Sequence, residues 1–256
     1  MLGSYQYLII GGKTTEIIDL GNPNKTSIIG ELPSKREGAV IGLLGSTPII
    51  CGGKDHNDWY SSNSTLNKCI SFKQSHWTST HTMTRDRIDA ASVQLNDTMW
   101  ILGGWYYHCV SRCLSGADGT TSSTEFLKMN TNKGIPGPDL PYWGYGHCAV
   151  KFSEEQVFVI GGFQTLTGFN IKLSSNVVIF NPLNNFTYIE GPSLNEGRSR
   201  HVCGLMSNGQ LSKIVIAGGI REKHDVEIFD PSINSWCPGM KYILEMEIKC
   251  ITHIPT

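Results

Sequence analysis

The stretch YYHCVSRCLSG begins at Tyr106 and places Tyr107, His108, Cys109 and Cys113 within one short span. Imidazole and thiolate are zinc ligands, and two thiols this close in a loop can instead join as a local disulfide. A structural zinc site of this kind takes a second ligand pair at similar spacing, and none follows Cys113, so no metal and no cofactor is expected. The remaining histidines (His56, His76, His81, His147, His201, His224 and His253) are scattered along the chain. Glu37 and Asp89 could support acid–base chemistry only if further carboxylates converged on them. Arg36, Arg87 and Arg200 are cations that could meet an acidic ligand or hold loop carbonyls.

The bulk numbers narrow the possible partners. The chain has 256 residues, 39% of them hydrophobic, which is enough for one large β domain with a substantial core. Twenty-one basic side chains stand against 22 acidic ones, for a net charge of -1, so nothing in the electrostatics points to nucleic acid. No apolar run approaches the roughly 20 residues of a membrane-spanning helix, and no membrane insertion is expected. The N-terminal MLGSYQYLIIGG lacks the basic start and cleavage site of a signal peptide and reads as part of the fold. A cytoplasmic location is therefore expected, or an extracellular one if the chain is a mature or truncated form.

What must position these residues is a repeat. Glycine pairs occur at Gly11-Gly12, Gly52-Gly53, Gly103-Gly104, Gly161-Gly162 and Gly218-Gly219, each after a short apolar run: YLII, PIIC, WIL, VFVI and IVIA. The spacings of 41, 51, 58 and 57 residues point to a repeat architecture. Sixteen residues upstream of a pair stand Arg36, Arg87 and Tyr145, and Arg200 joins them if SNGQLSK forms a hairpin two residues longer. Glu37 and Asp89 match neutral residues in the other repeats, which weakens the case for a carboxylate site. Small residues lie slightly nearer the pair: Ala39, Ala90, Cys148 and, with the same correction, Cys203. After each pair comes a second strand-like run, TEIIDL, NKCISF, STEFLKM, NVVIFNP or DVEIFDP, and several are followed by a bulky aromatic such as Trp77, Phe186 or Trp236.

This ensemble resembles the kelch repeat over nearly the whole chain. The resemblance implies a single all-β domain over residues 1–256, a β-propeller of four-stranded antiparallel blades. Five repeats are visible, making five blades or part of a six-bladed ring. Each Gly-Gly would end the second strand of a blade, where a missing Cβ permits positive φ and close backbone approach. Trp77 and Trp236 would fill the space between blades. The C-terminal EIKCITHI would supply the missing inner strand of the first blade and leave no free sheet edge.

Cys51, Cys69, Cys148, Cys203 and Cys237 fall in the strands of the repeat and are expected to be small buried thiols. Sequons at Asn24, Asn63, Asn96 and Asn185 keep an extracellular glycosylated domain open as an alternative.

In such a scaffold the loops carry recognition. The segments after the middle three glycine pairs are long and would form one raised arc. It holds Trp59, Tyr60, Trp105, Tyr106, Tyr107, Arg112 and Phe169, and aromatics of this kind anchor protein interfaces. Trp105 and Phe163 directly follow glycine pairs and could instead pack between blades. Kelch propellers generally bind proteins, so a non-enzymatic protein-binding module or scaffold is expected. The enzymes with related folds suggest as an alternative a propeller acting on sugars. The copper site of the galactose oxidase type needs converging His, Tyr and Cys, which this chain brings together only in YYHC.

Overall fold

The computed structural model describes residues 6–11, 13–19, 26–55, 65–106, 119–165, 171–207, 212–220, 225–238 and 252–254. Every regular element among them is a strand. The first are β1 (Gln6–Gly11), β2 (Thr14–Asp19) and β3 (Thr26–Glu31), then β4 (Val40–Leu44), β5 (Thr47–Cys51), β6 (Lys68–Lys73) and β7 (His76–Thr82). Next come β8 (Ala91–Leu95), β9 (Thr98–Leu102), β10 (Trp105–Tyr106), β11 (Gly119–Thr120), β12 (Thr124–Lys128) and β13 (Ile135–Gly137). They are followed by β14 (Trp143–Tyr145), β15 (Cys148–Lys151), β16 (Val157–Ile160), β17 (Phe163–Thr165), β18 (Ile171–Leu173), β19 (Val177–Asn181) and β20 (Thr187–Glu190). The last are β21 (Val202–Ser207), β22 (Ser212–Ala217), β23 (Val226–Asp230), β24 (Ser235–Pro238) and β25 (Thr252–Ile254).

These strands make five four-stranded antiparallel sheets among the described residues: β25-β1-β2-β3 (sheet I), β4-β5-β6-β7 (II), β8-β9-β12-β13 (III), β15-β16-β19-β20 (IV) and β21-β22-β23-β24 (V). Strand β25 comes from the C-terminal end of the chain and pairs with β1, Leu8 opposite Thr252 and Gln6 opposite Ile254. The first strands of successive sheets touch in the order β25, β4, β8, β15, β21. Tight turns with left-handed residues set the hairpins, as at Gly45, Asn96 and the pair Gln74 and Ser75.

Apolar layers join sheet to sheet. Leu32, Ile41, Ile50, Ile70 and Trp77 fill the layer between I and II, and the Trp77 indole donates to Thr15 Oγ1 of sheet I at 3.2 Å. Met99, Ile101 and Leu127 meet Val40, Leu44 and Ile49 between II and III. Trp100 and Leu102 meet Val157, Val159 and Phe180 between III and IV. Phe158, Ile160, Ile214, Ile216, Phe229 and Trp236 pack between IV and V. Each such side chain contributes on the order of 1.5–3 kcal/mol on leaving water, with the aromatics at the upper end.

A second seam is made of backbone. Gly38, Asp89, Gly146 and Arg200 stand two residues before the first strands of sheets II to V, all with left-handed φ (62°, 51°, 67° and 55°). Asp89 N donates to Gly38 O (2.8 Å), Gly146 N to Asp89 O (2.7 Å) and Arg200 N to Gly146 O (2.6 Å). A parallel row starts at the second glycine of the second, third and fourth pairs. Gly53 N donates to Arg87 O (2.8 Å), Gly104 N to Gly144 O (2.9 Å) and Gly162 N to Arg198 O (2.6 Å).

This register corrects part of the sequence alignment. Val40, Ala91, Cys148 and Val202 pair with the residue just before a glycine pair, so they are equivalent. Counting back from them, the partners of Arg36 and Arg87 are Gly144 and Arg198, not Tyr145 and Arg200. The hairpin of sheet V is longer by four residues rather than two, and that of sheet IV by one. Neither Cys148 nor Cys203 therefore matches Ala39 and Ala90, whose counterparts are His147 and His201.

Arg87 and Arg198 sit in the same bonding pattern. Arg87 Nε donates to Glu125 Oε1 (2.9 Å) and its Nη1 to Gly103 O and Ser123 O (2.7 Å each). Arg198 Nε donates to Glu227 Oε1 (3.0 Å) and its Nη1 to Gly218 O (3.1 Å) and Asp225 O (2.7 Å). The other carboxylate oxygen accepts a backbone N–H three residues before the arginine, from Thr84 (2.7 Å) and Asn195 (2.8 Å). All four charged side chains are buried, and burial holds the Arg87 pKa below its ordinary value, with Glu125 offsetting only part of the effect. Sheet II keeps the arginine carbonyl bonds, Arg36 Nη1 to Gly52 O (3.0 Å) and Lys68 O (2.7 Å), but has Ile70 at the glutamate position. Sheet IV has Gly144 and Val178 there. In both of these sheets the residue that would present the N–H is a proline, Pro33 or Pro141, which has none to present. Among sheets II to V the glutamate is found where both its donors are, and missing where the backbone donor is missing. Sheet I also carries a glutamate at this position, Glu16 opposite Ile9.

The cysteines also depart from expectation. Cys51 and Cys69 face each other across β5 and β6 and are disulfide-bonded, and Cys148 is bonded to Cys203 on the next first strand, with Cα atoms 6.1 Å apart. Proximity in the fold, which the linear sequence hides, pairs four side chains that read as free thiols. Cys237 is free and half-buried.

Truncating one partner of a fully buried ion pair strands the other charge, at a cost of about 3–5 kcal/mol. Arg87→Met should lower the unfolding free energy by that amount in urea titration. Arg36→Met, which strands no buried carboxylate, should cost only about 1–2 kcal/mol. Equal costs would contradict the arrangement.

Candidate functional site

The ends of the sheets that carry the glycine pairs also carry two additions. Beyond Gly104 the chain continues as β10 and returns as β11, Trp105 opposite Thr120 and Tyr106 opposite Gly119. Beyond Gly162 it continues as β17, which pairs with β14 on one side and β18 on the other. Ile88 and Trp105 exchange both backbone hydrogen bonds (2.7 and 2.8 Å), anchoring the first ribbon to the segment leading into β8. The two additions meet where Thr120 Oγ1 donates to Thr165 Oγ1 at 2.6 Å.

Alternation along a strand puts residues two apart on one face. In the three-stranded addition this aligns Trp143, Thr165 and Ile171 in one cross-strand row and Tyr145, Phe163 and Leu173 in the next. The Tyr145 and Phe163 rings lie 5.2 Å apart. Trp143 remains 58% exposed and Ile171 48%, so this face offers apolar area to solvent. Gly144, between the two aromatics, is held tight: a Cβ there would lie 2.7 Å from Phe163 O.

Charge lies beside this face. Arg200 contacts Asp89 through Nη2 (2.6 Å) and Nε (2.8 Å), an ion pair between sheets V and III. Both residues belong to the left-handed backbone row. The Tyr145 phenol is close enough to feel both groups. Burial raises its pKa most, Arg200 lowers it and Asp89 raises it. On the neighbouring ribbon the Arg85 guanidinium lies 5.0 Å over the Tyr106 ring and donates to Thr121 Oγ1 (3.2 Å). This is cation–π packing at an exposed site, worth about 0.5–1 kcal/mol.

Beneath the face, two histidines make the seam. His147 Nε2 donates to Leu102 O at 3.0 Å, and the ring lies across Gly103, where a Cβ would come within 2.7 Å of the imidazole. That contact, and a φ of +60° at Gly103, require glycine there. His201 stands in the same way over Gly161, and its Nε2 lies 3.3 Å from Cys148 Sγ. The Nδ1 atoms of both rings are buried without partners, which places the single proton of each on Nε2. Burial lowers the His147 pKa to about 4. Burial, then Arg198 and His147, lowers that of His201 to about 3.

Of the residues expected to bind a partner, Trp105 and Tyr106 are half-buried on β10, Tyr106 under Arg85. Trp59, Tyr60, Tyr107, Arg112 and Phe169 lie outside the described residues, as do Cys109 and Cys113. Phe163 packs on Tyr145. The sequence points to Tyr145 only as a counterpart of Arg36 and Arg87 and does not point to Trp143, because PYWGYG lies upstream of a first strand where the repeat pattern is blurred. Their signal was there all the same, since two aromatics alternating about a glycine suit one face of a short strand. Glu125 and Glu227 were also missed, although a lone charge inside the apolar runs STEFLKM and DVEIFDP marks a carboxylate that needs a buried partner. No family model and no curated protein matches the chain.

The buried histidines give the fold an acid limit. Their unfolded pKa is 6.5, above the folded values, so the unfolded state binds more protons between pH 6.5 and about 4. Stability present above pH 6.5 should fall through that window by up to about 1.4 kcal/mol per pH unit for each imidazole. Urea midpoints measured from pH 7 to pH 4.5 should show this slope, and His147→Gln should roughly halve it. An unchanged slope in the variant would contradict the neutral, buried assignment.

Proposed function

We propose that the five sheets are the blades of a kelch-type β-propeller that acts as a non-enzymatic protein-binding module. The carrying observation is the exposed aromatic face of β14, β17 and β18, set beside the Arg200–Asp89 pair on the end where the glycine pairs lie. Exposed Trp and half-buried Tyr and Phe next to charge are the composition of interface anchors. The propeller reading draws support from the order of contact between first strands, the backbone bonds repeated from sheet to sheet and the pairing of β25 with β1. Five blades, with the C-terminal segment completing the first, is the arrangement proposed. The long segments after the second, third and fourth glycine pairs would rise from this same end, so Trp59, Tyr60, Tyr107, Arg112 and Phe169 would enlarge the surface.

A second reading places the same module outside the cell or in another oxidising compartment. Cys51–Cys69 and Cys148–Cys203 favour it, since disulfides persist where thiols are not kept reduced. Asn96 and Asn185, the sequon asparagines within the described residues, both lie exposed in hairpin turns.

Chemical cross-linking followed by affinity capture from the native cell tests the binding face. Trp143→Ala should reduce recovery of the specific partners by about tenfold or more, the usual loss at an anchor residue. Leu183→Ala, an exposed apolar residue in the turn at the opposite end of sheet IV, should leave recovery unchanged. Equal recovery with all three proteins, each folded by circular dichroism, would refute the proposed face.

A further inference from the structure

The two disulfides among the described residues differ in setting. Cys51 and Cys69 are wholly buried, at 0% exposure, between sheets II and III. Cys148 and Cys203 are only partly buried and join different sheets, linking β15 of sheet IV to β21 of sheet V. Thiol–disulfide exchange needs access for the attacking thiolate and a leaving sulfur that can carry negative charge. The second bond is the more accessible of the two, since both of its cysteines are only partly buried, and the proton-bearing Nε2 of His201, 3.3 Å from Cys148 Sγ, can hold the charge of the leaving sulfur.

We propose that Cys148–Cys203 is a thiol-addressable site, opened in the folded protein by small dithiols while Cys51–Cys69 stays closed. The thiolate of the dithiol attacks Cys203 Sγ, forming a mixed disulfide and breaking the bond to Cys148. The Cys148 sulfur leaves as thiolate, held by the His201 N–H. The second thiolate of the reagent then attacks the mixed disulfide and releases Cys203. The dithiol is oxidised by two electrons to its own disulfide, and its two protons end on the Cys148 and Cys203 thiols.

The position of the bond gives its opening a consequence. Cys148 follows Tyr145 by three residues and Cys203 follows Arg200 by three, so the bond ties together the strands that position the aromatic face and the ion pair. Only the meaning of that consequence for partner binding rests on the function proposed above. The chemistry stands apart from it.

Differential alkylation and mass spectrometry of native protein, titrated with dithiothreitol, reads the order of opening. Cys148 and Cys203 should become labelled together, at least about tenfold faster than Cys51 and Cys69, as expected of an exposed bond against a buried one. The latter pair should require denaturant. His201→Leu should slow the opening by about tenfold, the worth of one hydrogen bond to a charged sulfur. Simultaneous opening of both bonds, prior opening of Cys51–Cys69, or free thiols at Cys148 and Cys203 in air-oxidised protein would each overturn the proposal, and wild-type protein alone decides among these. Loss of partner capture on reduction would extend the proposal to binding, and capture unchanged by reduction would confine it to the bond itself.

Discussion

Backbone hydrogen bonds that pass from sheet to sheet along II, III, IV and V carry the arrangement, and they form where the chain turns left-handed at one repeated position. Gly38, Asp89, Gly146 and Arg200 hold that turn, and the amides of Asp89, Gly146 and Arg200 each reach the carbonyl of the member before it in the row. Two of the four are not glycine, and a positive φ at arginine is uncommon. The Arg200–Asp89 ion pair, formed between two members of the row, helps offset that cost. The row of bonds from Gly53, Gly104 and Gly162 depends on the same positioning. Side chains fill the layers between sheets, but these backbone contacts fix how closely the sheets approach and in what register.

The buried ion pairs follow a stricter logic than their strength alone would suggest. Arg87–Glu125 and Arg198–Glu227 each satisfy two carbonyls and one amide in addition to each other. A buried pair with unsatisfied lone pairs would be a net cost. Where a proline removes the amide, the chain also removes the glutamate, putting Ile70 or Val178 in its place. Arg36 is what remains of the pattern in sheet II, with two carbonyl bonds and a buried Nε that has no acceptor.

Much of this was legible in the linear sequence, because a repeat writes its own alignment. The glycine pairs marked the ends of second strands, and the runs after them are third strands of the sheets. The C-terminal residues expected beside β1 pair with it as β25. What failed was register. Fixed spacing from the glycines assumes hairpins of equal length, and those of sheets IV and V are longer, which moved the equivalence from Gly144 to Tyr145 and from Arg198 to Arg200. The disulfides were hidden for a related reason: Cys148 and Cys203 are 55 residues apart and meet only once two first strands lie side by side. The exposed face of β14, β17 and β18 departs from the repeat, and a pattern learned from what recurs says nothing about what does not.

The division between repeated and unrepeated parts is also the division between scaffold and surface. The four-stranded sheets, the glycine pairs and the buried Arg–Glu pairs recur, whereas the Trp143–Tyr145 face and the Arg85–Tyr106 stack occur once, at one end. The account stands on the backbone row that holds the sheets together. Amide hydrogen exchange resolved by NMR at Asp89, Gly146 and Arg200 tests it most directly. These amides should exchange only with global unfolding, as slowly as those in the middle of β9 and β16. Exchange as fast as in exposed turns such as Asn96 would show that no such bonds join the sheets.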